Sequence, residues 1–80
     1  MTREEKVKQL IVKVGMGRVK EDMITLDADL RKDLGLDSLA MVELLVLIED
    51  AFGFQADKND AQAAGTLRLT LAFLDKYVKA

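Results

Sequence analysis

Between Ser38 and Ile48 the chain carries one charged residue, Glu43, among Leu39, Ala40, Met41, Val42, Leu44, Leu45, Val46 and Leu47. An apolar run of this kind must bury at least one side, and its flanks decide in what form. Asp37 and Ser38, both residue types that cap helix N-termini, precede it, and Gly53 closes it. Leu44, Leu45, Ile48 and Phe52 fall at helical spacing. The run is therefore predicted to be a helix from about Ser38 to Phe52, roughly four turns long.

The residues leading into it read Asp33-Leu34-Gly35-Leu36-Asp37-Ser38-Leu39. Gly35 supplies the backbone freedom that a turn needs here. The turn ends at Ser38 or one residue earlier, so either Asp37 or Ser38 caps the helix. The first N–H groups of a helix have no partner inside it, and the dipole there is positive. An anion, a phosphate above all, is stabilised at such a point. Ser38 is thus a candidate carrier of a phosphodiester, although a lone serine before an apolar run most often does no more than cap.

Other apolar stripes extend the helical pattern. Thr2 and Glu5 have capping-box spacing, and Val7, Leu10, Ile11 and Val14 mark a first helix ended by Gly15 and Gly17. Residues 16–37 form a long connection whose apolar anchors are Met23, Ile24, Leu26, Leu30, Leu34 and Leu36, with a short helical turn around Asp29 to Lys32. Residues 54–65 hold a short third helix with an Asp57 cap, carrying Ala61 and Ala64. Thr66 caps a last helix to about Lys79, with Leu67, Leu71, Leu74 and Val78 on one line and Leu69, Phe73 and Tyr77 on a second. Leu67, Leu69, Leu71 and Phe73 also alternate as a strand would, but no other run could pair with it. The expected fold is all-α: a small four-helix bundle of three longer helices plus one short helix, with a long first loop, forming a single domain over residues 1–80.

Composition narrows the chemistry. The chain has no cysteine and no histidine, which excludes disulfides, thiolate metal sites and a Ser–His pair. Ser38 has no evident base of its own, so chemistry at its hydroxyl must be done by another protein, and the chain is expected not to be an enzyme. No metal-loop or Gly-rich phosphate-binding pattern occurs. Charged residues interrupt the N-terminus where a secretory signal would be apolar, and no apolar run approaches the roughly 20 residues that span a membrane. A soluble, cytoplasmic monomer is expected. Charge is uneven: residues 33–60 hold seven acidic side chains and one basic, against eight basic and six acidic in residues 1–32. The acidic block coincides with Ser38 and its helix. It disfavours nucleic acid and favours a basic protein surface as partner.

Asp33-Leu34-Gly35-Leu36-Asp37-Ser38-Leu39, followed by Val42-Glu43-Leu44, resembles the prosthetic-group site of acyl carrier proteins. The resemblance continues without gaps from Phe52 through Ala61, Thr66, Leu67 and Leu71 to Leu74, and covers essentially the whole chain. It implies that Ser38, flanked by Asp37 and Leu39, carries a covalent 4′-phosphopantetheine arm. A phosphopantetheinyl transferase, using magnesium, would move that arm from coenzyme A. The arm would bring the thiol that the chain lacks and hold acyl groups on it as thioesters. The resemblance also implies a docking helix: Glu43, Glu49 and Asp50 would meet basic patches on acyl-transferring and chain-elongating enzymes. Val42 and Val46 would flank them, and Leu39, Val42, Leu45 and Val46 would border a pocket for acyl chains.

The sequence departs from the common fatty-acid pattern at Ala40, Leu47 and Ala51, which make the helix less acidic and more apolar. That leans toward a specialised carrier, of a polyketide, aminoacyl or lipid-A intermediate, over a housekeeping fatty-acid carrier. Gly35-Leu36-Asp37-Ser38-Leu39 argues somewhat against a peptidyl carrier. A non-enzymatic helical interaction module with an acidic-apolar docking helix remains the alternative from another class.

Overall fold

The computed structural model describes residues 2–57 and 64–78. Among these residues lie three α-helices, α1 (Arg3–Val14), α2 (Ser38–Phe52) and α3 (Leu67–Tyr77), and a 3-10 turn at Glu21–Met23. Among the described residues there is no strand, only an isolated bridge between Asp29 and Thr66.

The caps account for where the helices start. Thr2 Oγ1 accepts from Glu5 N at 3.2 Å, and Thr66 Oγ1 accepts from Leu69 N at 3.1 Å. α2 stops at Gly53, whose φ of 73° is a left-handed conformation that glycine adopts without penalty. The expected short third helix falls mainly on residues 58–63, outside the described residues; residues 54–57 are not helical. The period-two alternation in α3 is incidental. Leu67, Phe73 and Leu74 are buried on its inner side, while Leu69 is exposed.

α1 packs against both α2 and α3. Val7, Ile11 and Val14 meet Leu44 and Ile48 of α2 and Leu67 and Leu74 of α3 in one core. The connection between α1 and α2 adds Val19, Ile24, Leu30, Leu34 and Leu36 to the same cluster. It is therefore part of the core rather than a strap laid over it. Two anchors expected there, Met23 and Leu26, stay exposed. Gly15 allows the chain to return onto α1, since a Cβ at that position would lie 2.7 Å from Val19 Cγ2 and 2.8 Å from Val19 Cβ.

The connection is also fastened to the start of α3. Leu30 N donates to Gly65 O at 2.9 Å, and Arg68 N donates to Leu26 O at 2.9 Å. The Arg68 guanidinium reaches Asp27 through Nε at 2.8 Å and holds that carboxyl below its ordinary pKa. The turn expected around Asp29 to Lys32 is present. Asp33 N and Leu34 N donate to Asp29 O, and Gly35 N donates to Arg31 O at 3.1 Å. The 3-10 turn at Glu21–Met23 was not legible, because it lies in a charged stretch with no apolar period.

Candidate functional site

The site begins with two buried leucines. Leu34 and Leu36 anchor the end of the connection, and Leu36 N donates to Leu30 O at 3.0 Å. Gly35 between them has a φ of 74°, the conformation the turn requires. Asp37 follows in extended backbone, and its carboxylate accepts from Ala40 N at 2.8 Å. The sequence allowed either Asp37 or Ser38 to cap α2, and Asp37 does so. Ser38 becomes the first helical residue, exposed, with its hydroxyl free of the capping role.

Two features beside that hydroxyl are positive. The N–H groups of Ser38 and Leu39 belong to the first turn, which lacks intrahelical acceptors. Arg31 Nη2 donates to Ser38 Oγ at 2.6 Å. The turn carrying Arg31 is held by Asp29, whose Oδ1 accepts from Arg31 N at 2.9 Å and from Lys32 N at 2.8 Å. Those two backbone donors, Lys32 first and Arg31 second, hold the Asp29 carboxyl below its ordinary pKa. A guanidinium donates hydrogen bonds and offers no acceptor, so Arg31 gives the serine proton nowhere to go. Among the described residues, no group of His, Cys, Asp or Glu is arranged to hold a metal.

The outer face of α2 is apolar flanked by acid. Leu39 is 68% exposed, Val42 58% and Val46 47%, with Glu43 and Asp50 exposed on the same helix. Glu49 is different: it is half-buried, and its Oε2 accepts from Ala56 N at 2.7 Å, tying down the chain after α2. A cavity of about 610 Å³ opens between α2 and α3. Arg31 and Ser38 border it, and Met41, Leu44, Ile48 and Phe73 are among its apolar lining. Of the four residues expected to border such a pocket, Val42 and Leu45 do, while Leu39 and Val46 do not.

Arg31, Thr70 and the Ala64–Gly65 segment are site residues that the sequence reading missed. Thr70 is buried with its hydroxyl donating to Thr66 O at 2.7 Å, so it lines the cavity as a satisfied group. The one available signal for Arg31 was a basic residue seven positions before the candidate serine, in a segment predicted to turn.

The chain matches the family model described as "Phosphopantetheine attachment site" over residues 5–74. It is similar to an acyl carrier protein of Desulforapulum autotrophicum, 40% identical over 76 residues, covering 95% of this chain and 97% of that protein. It is also similar to acyl carrier protein 2 of Pseudomonas aeruginosa, 38% identical over 60 residues, covering 75% of this chain and 76% of that one. No helix among the described residues is long and apolar enough to cross a membrane.

Proposed function

We propose, because this chain belongs to the acyl carrier protein family with its phosphopantetheine attachment site, that Ser38 is the serine that bears the 4′-phosphopantetheine arm. One observation carries the reading. Asp37 caps α2, which leaves the Ser38 hydroxyl exposed at the positive end of the helix and beside a guanidinium. An oxygen so placed is accessible for esterification, and the negative charge of a phosphodiester there is stabilised. When bound, the arm supplies the terminal thiol on which acyl groups are held as thioesters.

The partner for loading is a phosphopantetheinyl transferase with magnesium. The Ser38 oxygen displaces adenosine 3′,5′-bisphosphate from the pantetheine-bearing phosphorus of coenzyme A, and the serine proton passes to a base of the transferase. The guanidinium that meets Ser38 Oγ has no acceptor for that proton, which supports a base supplied by the transferase. Leu39, Val42 and Val46 form the apolar part of a docking face, with Glu43 and Asp50 as its acidic margin for basic patches on acyl-transferring and chain-elongating enzymes. Glu49 contributes with the carboxylate oxygen that is not bonded to Ala56. The apolar lining of the cavity supports an aliphatic portion of the cargo sheltering between α2 and α3. The same reading makes the chain one cytoplasmic, monomeric domain over residues 1–80, a four-helix bundle with its short helix between α2 and α3.

The test is intact mass after incubation with coenzyme A, magnesium and a broad-specificity transferase. A gain of one phosphopantetheine is expected in the wild type and not in Ser38→Ala. No gain, or a gain that persists in Ser38→Ala, overturns the reading.

A further inference from the structure

Among the described residues, the side chains of Arg3 and Arg68 end on carboxylates, those of Asp75 and Asp27. Arg31 ends on a neutral hydroxyl and forms no ion pair among them. A guanidinium presents five donors in a flat fork suited to paired oxygens, so one contact with Ser38 Oγ leaves most of that capacity unused. The residue is also held in place. Asp29 accepts from its backbone N–H, Leu30 beside it is fully buried, and Leu30 N is bonded to Gly65 O. Arg31 therefore springs from a braced turn and lies at the mouth of the cavity together with Ser38.

We propose that Arg31 is a positioning residue for the phosphodiester that joins the arm to Ser38. Once Ser38 Oγ is esterified, the guanidinium that donates to it donates instead to the non-bridging phosphoryl oxygens. The fork neutralises the single negative charge and fixes the root of the arm against the first turn of α2. The arm then leaves Ser38 along the cavity mouth rather than directly into solvent. This inference rests on Ser38 being the attachment serine, and the experiment separates the two claims.

Wild type, Arg31→Gln and Arg31→Lys are loaded with coenzyme A, magnesium and transferase. Intact mass reports attachment, and the 31P resonance of the phosphodiester reports its surroundings. Spectra are taken in about 0.01 M and about 1 M salt, where screening lengths are about 30 Å and about 3 Å. In the loaded wild type the 31P resonance is expected to shift with salt. In loaded Arg31→Gln it is expected to be nearly insensitive to salt and to lie near the high-salt position of the wild type, with Arg31→Lys between them. The Arg31 side-chain N–H resonances should also shift when the unsubstituted protein is loaded. Full loading with the same 31P position and salt response in wild type and Arg31→Gln overturns the role of Arg31 and leaves attachment at Ser38 intact. No mass gain in the wild type overturns the attachment reading, and the role of Arg31 with it.

Discussion

Asp37 caps α2, and Ser38 after it does not. The Asp37 carboxylate satisfies the Ala40 N–H, and the Ser38 oxygen is left free of the capping bond. Asp37→Ala is expected to lower stability by about 1 kcal/mol, the usual worth of such a cap. Ser38→Ala should stay within about 0.5 kcal/mol while abolishing attachment, because the hydroxyl is exposed and makes no capping bond. Urea denaturation of the two variants measures both, and a larger loss in Ser38→Ala than in Asp37→Ala would contradict that placement of the cap. Gly15→Ala should cost about 1–3 kcal/mol by overpacking against Val19. The turn before α2 and the start of that helix were legible because they are local: a turn glycine, two cap types and an apolar run follow one another in sequence. Which of the two cap types does the capping was not legible, since both have the chemistry for it. The contact of Arg31 with Ser38 was hidden for another reason: seven residues of turn decide where that side chain ends.

The elements that carry the site are α2 and the turn from Asp29 to Gly35, and they are stabilised differently. α2 is held by Leu44 and Ile48 in the core, whereas the turn depends on Leu30 and on the carboxylate of Asp29. The Asp29 carboxyl titrates below its ordinary value of 3.8 in the folded protein. Its contribution is then fully present above the ordinary aspartate range and is lost as pH falls from that range through the lowered folded value. The turn should thus keep its strength above about pH 5 and loosen only in stronger acid. A 13C titration of the side-chain carboxyl checks this, and a midpoint above 3.8 would refute it. The three long helices were legible from caps and stripes. The anchors of the connection were legible in part, because apolar residues must go somewhere, yet spacing alone does not say that Met23 and Leu26 remain outside while Val19 goes in.

For the molecule as a whole, α1 holds α2 and α3 together, and the connection is stitched to α3 through Leu26, Leu30, Gly65 and Arg68. Leu30→Ala should be among the more damaging substitutions, at about 2–5 kcal/mol, because Leu30 is fully buried where the connection meets the core. Between α2 and α3 lies the cavity; the family resemblance implied a pocket there, but no stripe foretold it, since it depends on the distance between two helices rather than on either one. Each methylene moved from water into such a site is worth about 0.8 kcal/mol, so an octanoyl load should raise the melting midpoint above that of the unacylated loaded form by several degrees. Differential scanning calorimetry of the two forms measures this, and identical midpoints would speak against the cavity as a shelter. The cap supplied by Asp37 has a last implication. With the cap on Asp37 and not on the serine oxygen, a tether on Ser38 is expected to leave the backbone of α2 unaltered. An enzyme that must distinguish a charged carrier from a bare one has to feel for the tether itself, or for what hangs from it.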